Sequence, residues 1–268
     1  MHKSARIRHL AAATEQERVF MRHPARREDF SRFLIHLTRN YEGAQARDNL
    51  VAMLREKVIE ARNPHCLFQH EITKMGFSPL LSKAFTTVCF TETPLTQIHR
   101  LTGTIPGRRI ELQPYGLVFS KEDLIRRGAS PAIYLNAKGT KLRNYLLNRF
   151  RNDFNGIRKL KTLRALQTED YGSIIQYYAL VNIIAENFDF TWEREWRHSG
   201  RLKFQYRDLV AVVAPDPDTF ATRCKMQLPQ RVRKYVDMIP IISPSWSYED
   251  MLEAMSIKIW DNACKPTQ

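Results

Sequence analysis

Long apolar runs and glycine-rich stretches are both missing from this chain of 268 residues. No segment approaches the roughly 18 consecutive apolar residues that a membrane-spanning helix needs, and the 10 glycines exclude a collagen-like or glycine-rich polymer. Hydrophobic residues make up 43% of the chain and charged residues 26%, which argues against a disordered polymer. The basic start of the sequence lacks the apolar core and cleavage site of a secretory signal. We therefore expect a cytoplasmic protein that makes no membrane contact.

Cysteine is scarce as well. The four cysteines are Cys66, Cys89, Cys224 and Cys264. None belongs to a C-x-x-C pair, which argues against a zinc ribbon or a thioredoxin-like motif. His65 and His70 lie close to Cys66, but their spacing matches no common metal motif, and ordinary core and surface positions are the favoured interpretation. Scattered free cysteines fit a reducing compartment, and we expect no metal.

The sequence also lacks the short motifs that identify common enzyme classes. It contains no G-x-G-x-x-G for a dinucleotide fold, no G-x-x-x-x-G-K-[ST] for a P-loop and no H-E-x-x-H for a zinc protease. No G-x-S-x-G nucleophile elbow occurs either. Any catalysis must therefore come from residues that are scattered along the chain.

Positive charge is abundant. Lys and Arg number 42 against 28 Asp and Glu, so the formal charge is +14 and the sequence pI is near 9.8. Such a surface attracts polyanions, although a solvated basic surface kept for solubility remains the alternative. One basic cluster lies in the first thirty residues, and the nucleic-acid-binding candidates of a second are Arg143, Arg149, Arg151, Arg158, Lys159 and Lys161. Tyr145, Phe150 and Phe154 lie among them, which suits phosphate contact plus base stacking.

Hydrophobic periodicity predicts a chain that alternates strands and helices. Strands are predicted at 32–38, 85–91, 115–120, 131–135, 191–197, 202–206, 209–214 and 238–242, and helices at 44–58, 94–101, 121–127, 139–152, 172–188 and 247–260. Ser120 is predicted to cap its helix and Gly128 to end it. The pattern favours an α+β fold with a single mixed-sheet domain and flanking helices, preceded by a basic helical arm over residues 1–30.

Two carboxylates are predicted to share a strand face within Trp192–Arg197. Side chains alternate along a strand, so Glu193, Glu195 and Arg197 are expected to line a cleft while the two tryptophans anchor the other face. Neighbouring carboxylates tend to raise one pKa and suit the stabilisation of a developing cation. The alternative is a solvated strand face with Glu–Arg neighbours.

An early strand carries a second polar pair. His36 and Thr38 are expected on one face of the strand and Ile35 and Leu37 on the other. A lone histidine among apolar residues is more often a satisfied core residue, but the neighbouring Thr38 favours a polar face.

Five segments taken in order resemble a known family. HLTR at 36–39, VCFTETPL at 88–95, YGLVFSKEDLIRRGASPAIYL at 115–135, WEREWR at 192–197 and VAVVAP at 210–215 are similar to the AbiGi-like abortive phage-resistance family. The resemblance runs from about Ser31 to Trp260. Residues 1–30 show no match to it, and 136–170 has the character of a basic insertion. Membership would imply a role in anti-phage defence.

A more distant resemblance bears on mechanism. A histidine-plus-threonine strand, an aromatic strand in the middle and a late glutamate strand are similar to ADP-ribosyltransferases, and NLVAML at 49–54 resembles the opening helix of DarT-type nucleic-acid-modifying enzymes. This resemblance implies an ADP-ribosyltransferase-like domain over 31–268, with NAD as substrate and no metal. It also implies a toxin that acts on a nucleic acid, RNA slightly favoured over DNA, and an antitoxin or chaperone partner that restrains it.

The same resemblance implies a role for each candidate residue. The implied site consists of catalytic Glu195 assisted by Glu193, His36 and Thr38 on the nicotinamide ribose, Arg39 or Arg197 on the pyrophosphate, and Tyr115 or Phe119 stacked on nicotinamide. Two other functions stay open. One is a metal-dependent nuclease in which Asp208 joins the two glutamates, and the other is a non-enzymatic nucleic-acid-binding or antitoxin module.

Overall fold

The computed structural model describes residues 30–108, 110–136, 138, 140–159, 169–184 and 190–264. The predicted basic arm lies outside this part of the chain except for Phe30, and so does Lys161. Within the described ranges, no helix combines the length and apolarity that crossing a bilayer requires.

Strands and helices alternate along most of the chain. The strands are β1 (Phe33–Leu37), β2 (Val58–Ile59), β3 (Thr87–Thr91), β4 (Gly116–Ser120), β5 (Ser130–Pro131), β6 (Ile133–Asn136), β7 (Val181–Ile184), β8 (Glu195–Ser199), β9 (Leu202–Lys203), β10 (Leu209–Val213) and β11 (Ile241–Ile242). The α-helices are α1 (Ala46–Glu56), α2 (Gln69–Lys74), α3 (Pro79–Ala84), α4 (Lys121–Arg126), α5 (Leu142–Asn155), α6 (Glu169–Leu180), α7 (Pro217–Gln227), α8 (Gln230–Val236) and α9 (Tyr248–Cys264). Short 3₁₀ helices cover Leu95–Leu101, Thr191–Glu193 and Tyr206–Asp208.

The local patterns with clear end signals are confirmed. Ser120 accepts a hydrogen bond from the backbone N–H of Asp123 and caps α4. Gly128 follows that helix at φ +93°, a conformation that glycine adopts without steric cost. The helix predicted over 172–188 is wrong for residues 181–184, because they pair in parallel with β6 as β7, and residues 185–188 lie outside the described part of the chain.

A seven-stranded mixed sheet forms the centre of the α+β fold, in the order β11-β10-β4-β1-β3-β8-β5. The pair β10–β11 is parallel and the other neighbours are antiparallel. Separate two-stranded sheets join β2 to β9 and β6 to β7. The expectation of a mixed sheet with flanking helices is therefore confirmed.

Each face of the large sheet has its own apolar core. Leu34, Phe90 and Phe119 lie on one face and pack with buried residues of α1, α4 and α7. Ile35 and Val118 lie on the other face and pack with the 3₁₀ helix Leu95–Leu101 and with Met251 of α9. The alternation of neighbouring β1 residues between the two cores follows from the pleat of a strand.

An aromatic cluster forms a third core beside the sheet. Phe68, Phe85, Phe150, Phe154 and Tyr178 pack together, with the rings of Phe68 and Phe150 stacked at 4.6 Å. Phe150 and Phe154 are fully buried here, so their predicted part in base stacking is wrong. The amphipathic helix α5 uses these rings to attach the segment 142–155 to the rest of the protein.

Few residues pair between β1 and β3, the two strands near the middle of the large sheet. β1 pairs with β4 along five residues, and β3 pairs with β8 along five, whereas among the described residues β1 pairs with β3 only at Ile35 and Thr91. The sheet therefore consists of two well-paired halves that separate beyond this one pair.

Candidate active site

A cavity of about 570 Å³ opens where the two halves of the sheet separate. Its wall includes Phe90 from the first core, Cys66 from the aromatic cluster and Leu101 from the core on the opposite sheet face, so the three apolar clusters meet around it. Strand β1 contributes His36 to the wall, and β8 contributes Glu195. The size lies within the range of small-molecule pockets, about 300–1,000 Å³.

Hydrogen bonds from neighbouring side chains hold the carboxylate of Glu195 in place. Nε and Nη2 of Arg197 lie 3.0 and 2.8 Å from its two carboxylate oxygens, and the hydroxyl of Tyr134 donates to Oε2 at 2.8 Å. Its side chain is 12% exposed. Burial alone would raise its pKa, but the charge of Arg197 and hydrogen bonds from Arg197, Tyr134 and Cys89 outweigh burial and hold the pKa of Glu195 below its usual value. The cavity wall therefore holds a carboxylate whose surroundings favour the ionised form.

Glu193 reaches the same cavity from a different element. The prediction that it shares a strand face with Glu195 is wrong, because residues 191–193 form a 3₁₀ helix and Arg194 has φ +49°, which breaks the strand before β8 begins. Its carboxylate lies 3.3 Å from Nη1 of Arg108. Burial raises the pKa of Glu193, partly opposed by Arg108, and the charge of Glu195 adds a smaller upward contribution.

His36 lies at the edge of the gap between β1 and β3. Its Nδ1 is 2.8 Å from the carbonyl oxygen of Cys89, and its ring meets Phe90 edge-on. A carbonyl oxygen only accepts, so Nδ1 carries the hydrogen. Burial lowers the pKa of His36, which favours the neutral ring and leaves Nε2 as a hydrogen-bond acceptor.

Thr38 has a structural task at the cavity wall. Its hydroxyl lies 3.0 Å from the carbonyl oxygen of Ala46 and 3.1 Å from that of Tyr115, and the residue is 3% exposed. The expectation that the hydroxyl joins His36 on a ribose is therefore wrong, because its hydrogen bonds hold the end of β1 against α1.

Arginines other than Arg197 also line the cavity. Arg39 and Arg62 line the cavity on either side of Tyr41, with their guanidinium carbons 5.2 and 4.5 Å from its ring centroid. Arg197 is 1% exposed, and its remaining Nη1 donates to the carbonyl oxygen of Ala179 at 2.8 Å. The prediction that Arg197 binds pyrophosphate is wrong, because this buried guanidinium donates through Nε and Nη2 to Glu195 and through Nη1 to α6.

The two aromatic candidates lie away from the cavity. Phe119 is 1% exposed between Phe90 and Phe204, and Tyr115 packs on the first core near Phe220. Neither lines the cavity, so stacking of either on nicotinamide is wrong. The aromatic rings that do line it are those of Tyr41, Phe90, Tyr134 and Phe190.

The basic segment around α5 is partly committed to ion pairs. Arg151 donates through Nε and Nη2 to Glu71, both at 2.7 Å, and Arg149 lies 3.1 Å from Asp153. The other described members of the cluster, Arg143, Arg158 and Lys159, are exposed. Tyr145, at 66% exposure, is the one predicted stacking residue of this cluster that stays on the surface.

Sequence reasoning missed several cavity residues. These are Arg62, His65, Tyr134 and Arg108, of which Tyr134 contacts Glu195 directly. Among the described residues, Nε of Arg108 is a buried side-chain donor that has no hydrogen-bond partner. Tyr134 lies inside the PAIYL segment that the sequence pattern singles out, but no local spacing indicates that its hydroxyl reaches β8.

Asp208 lies elsewhere. Its carboxylate accepts from the backbone N–H of Gln205 at 2.8 Å and pairs with Arg127 at 3.4 Å. It does not line the cavity, so the nuclease alternative loses the third carboxylate that was to join Glu193 and Glu195.

The cavity wall combines a carboxylate held by Arg197 and Tyr134 with the imidazole of His36 and the guanidinium groups of Arg39 and Arg62. Such a carboxylate stabilises a cationic sugar-like transition state, and arginine side chains suit phosphate oxygens. A scan against family models and searches of curated proteins and of solved structures found no match to this chain.

Proposed function

We propose that this protein is an NAD-dependent ADP-ribosyltransferase that transfers ADP-ribose to a nucleic acid, RNA slightly ahead of DNA. The observation that carries the proposal is that Glu195 and His36 both line the cavity at the gap in the sheet. The two residues lie on β8 and β1, which are separated only by β3. Among the described residues β1 and β3 pair only at Ile35 and Thr91, so the two residues line the cavity from different halves of the sheet.

Glu195 is the proposed catalytic residue. In the reaction, the bond between C1′ of the nicotinamide ribose and the ring nitrogen breaks, and nicotinamide leaves with the bonding electron pair. A bond forms between C1′ and a nucleophilic atom of the acceptor, which releases its proton. The carboxylate of Glu195 stabilises the positive charge that develops on the ribose, as carboxylates do in glycoside cleavage. Arg197 and Tyr134 keep it oriented and ionised.

The remaining wall residues fit the rest of a dinucleotide. Nε2 of neutral His36 accepts a hydrogen bond from a ribose hydroxyl. Arg39 and Arg62 supply charge for the pyrophosphate in place of Arg197, and the unpartnered Nε of buried Arg108 is a further donor. Phe190 offers a ring for stacking on a base in place of Tyr115 and Phe119. Each of these groups donates, accepts or stacks where NAD has a matching group.

The acceptor class and the biological role rest on other observations. The charge of +14 favours a polyanionic acceptor over a protein. The resemblance to the AbiGi-like family supports a role as the toxin of an anti-phage defence system. An antitoxin or chaperone partner then restrains the enzyme, because uncontrolled modification of nucleic acid harms the host cell.

A labelled-NAD transfer assay tests the proposal. The protein is incubated with NAD labelled in its adenylate phosphate and with RNA, DNA and protein fractions in turn, and the released nicotinamide is measured separately. We expect label on nucleic acid together with nicotinamide release, both abolished by Glu195→Gln. Absence of label and of nicotinamide release from the folded, partner-free protein would overturn the proposal. Chelator-sensitive cleavage of the nucleic acid would instead favour the nuclease alternative.

A further inference from the structure

A second open groove lies between the end of α1 and helix α8. It is lined by Arg55, Lys57, Tyr206, Gln230, Arg231, Val232, Lys234 and Tyr235, and we name it the tyrosine groove. Four of these side chains are cations, and no acidic side chain is among the described lining residues. Glu56 beside the groove pairs with Arg55 at 2.9 Å, but both side chains are about half exposed or more, so solvent weakens this pair.

The groove contains a stacked pair of tyrosines. The rings of Tyr206 and Tyr235 lie 5.3 Å apart at an angle of 15°. The hydroxyl of Tyr206 donates to the carbonyl oxygen of Leu54 at 2.8 Å and so attaches the pair to α1. Tyr235 is 41% exposed. The pair therefore forms a platform that is attached to the protein through Tyr206 and exposed to solvent at Tyr235.

Cations surround this platform. Nζ of Lys57 lies 5.9 Å from the ring centroid of Tyr206, and Nζ of Lys234 lies 5.2 Å from that of Tyr235. Arg55 and Arg231 add charge along the groove. A positive groove with exposed aromatic rings is the common design of sites for single-stranded nucleic acid, in which cations follow the phosphates and rings stack on bases. A lipid headgroup would use the cations but leave the tyrosine platform without a role.

One chain segment, α1 and the residues after it, contributes side chains both to the tyrosine groove and to the catalytic cavity. Met53 of α1 lines the cavity, Arg55 and Lys57 line the groove, and Arg62 returns to the cavity wall. Five residue steps separate Lys57 from Arg62, at most about 17 Å of extended chain. A strand of a few nucleotides covers that distance, since stacked nucleotides advance about 3.4 Å each.

We infer that the tyrosine groove binds the single-stranded nucleic acid that receives ADP-ribose in the cavity. The inference rests on the proposed function for the identity of the reaction, but the binding site itself is independent of it. Unlike the basic segment around α5, where two of the three predicted stacking rings are buried, the groove has an exposed ring stacked on a second ring with cations close to both.

Fluorescence anisotropy on the full chain tests the site. The probes are single-stranded RNA and DNA of about 12 nucleotides, within the size range of single-strand sites, measured across roughly 50–200 mM salt. The charge variant is Arg231→Gln/Lys234→Gln, and its matched control is Lys83→Gln/Arg201→Gln, which removes two exposed cations outside the groove. The ring variants are Tyr235→Ala and Tyr235→Phe.

We expect the charge variant to lower the slope of log affinity against log salt by about 1.4, since each single-strand phosphate contact contributes about 0.7. The matched control keeps the wild-type slope. Tyr235→Ala weakens binding at least about fivefold, the lower end of one base-stacking contribution, and Tyr235→Phe restores it. If Tyr235→Ala does not fold, the salt slope of the charge variant decides whether the groove binds the oligonucleotide.

The outcomes separate this inference from the proposed function. Nicotinamide release from NAD without nucleic acid should be the same in groove variants and wild type, because the groove residues do not line the cavity. Groove-dependent oligonucleotide binding without any nicotinamide release overturns the proposed function and supports the groove. Binding that is insensitive to the groove variants overturns the groove, and so does groove-dependent binding of anionic phospholipid vesicles in the absence of oligonucleotide binding.

Discussion

Arg197, two residues after Glu195 on β8, donates hydrogen bonds to both carboxylate oxygens of Glu195. Its Nε and Nη2 lie 3.0 and 2.8 Å from those oxygens, while Nη1 donates to the carbonyl oxygen of Ala179 in α6. Residues two apart on a strand share a face, so β8 alone brings the charges together. The contact with α6 fixes the guanidinium from outside the sheet. The carboxylate therefore has one orientation before any substrate arrives.

The first prediction concerns the two glutamates of the cavity. Glu195→Gln removes the charge that stabilises the ribose cation, and we expect nicotinamide release to fall by about 100-fold or more, the loss typical of one preorganised electrostatic contact. Glu193→Gln is the matched control, because Glu193 pairs with Arg108 and lies outside the Arg197 fork. A smaller loss is expected there. Steady-state kinetics on both variants decide, and wild-type turnover by Glu195→Gln would remove Glu195 from the mechanism.

The second prediction concerns Tyr134. Its hydroxyl hydrogen-bonds the ionised form of Glu195 and helps to lower the pKa of that carboxyl. Tyr134→Phe should raise the pKa of Glu195, move the acid limb of the pH–rate profile to higher pH, and slow turnover about tenfold, as expected for a hydrogen bond to a charged group. Tyr41→Phe, which removes a cavity hydroxyl that does not contact Glu195, should leave the acid limb in place. An unshifted limb in Tyr134→Phe would contradict the assigned role.

The third prediction follows from linkage. The folded pKa of Glu195 is lowered, so its ion pair stabilises the protein above the unfolded glutamate pKa of about 4.3 and loses this effect as pH falls through the folded value. Glu195→Gln should therefore be less stable than wild type at neutral pH, by up to about 3–5 kcal/mol. The difference should shrink in acid. Urea unfolding of both proteins at several pH values measures it, and a gap that is independent of pH would show that Glu195 is not the titrating group.

Strands with strong local patterns are predictable from this sequence, and the interruption of a strand is not. Short runs of apolar, β-branched and aromatic residues identify β1, β3, β4 and β10, and a serine cap with a following glycine marks the two ends of α4. The break before β8 depends on the left-handed conformation of Arg194, which Thr91 supports by donating to the carbonyl oxygen of Glu193 at 2.6 Å. That contact joins residues far apart in the chain, so no local spacing reveals it.

The candidate site shows the same division. Glu195 and His36, two polar candidates that stand out on strands in the sequence, both line the cavity, and their roles there stay predictions. The roles of Arg197, Thr38 and Phe119 were wrong because each depends on its tertiary partner. Arg197 binds Glu195, the hydroxyl of Thr38 binds backbone carbonyl oxygens, and Phe119 packs in the first apolar core. Residue type and position along a strand do not determine which of these partners is present.

The fourth prediction distinguishes the roles of the two ring nitrogens of His36. Asn at this position keeps a donor close to Nδ1, whereas Gln places its amide near Nε2. His36→Asn should preserve the hydrogen bond to the Cys89 carbonyl and hence the Tm, but weaken NAD binding about tenfold through loss of one hydrogen bond. His36→Gln should lower the Tm, because the buried carbonyl loses its donor. Calorimetric titration with NAD and thermal unfolding give both readouts, and equal NAD affinity in His36→Asn and wild type would exclude an acceptor role for Nε2.

The last prediction concerns Arg151, the member of the basic cluster that the structure ties most firmly into the fold. Its guanidinium makes two 2.7 Å hydrogen bonds to Glu71, whose side chain is 6% exposed, and so joins α5 to α2. Arg151→Gln leaves that buried carboxylate short of its partner, so we expect a lower Tm and unchanged affinity for oligonucleotides. Glu71→Gln should lower the Tm as well.

Arg143 is the matched control, since it is exposed on the same helix, and Arg143→Gln should keep the wild-type Tm. The stability contributed by the Arg151–Glu71 pair depends on pH in a defined direction. Arg151 lowers the pKa of Glu71 chiefly through its hydrogen bonds, so the pair stabilises the fold above the unfolded glutamate pKa of about 4.3 and loses that effect as pH falls through the folded value. The Tm deficit of Arg151→Gln should therefore be largest near neutral pH. A variant with wild-type Tm and weakened oligonucleotide binding would instead place Arg151 on the nucleic-acid surface.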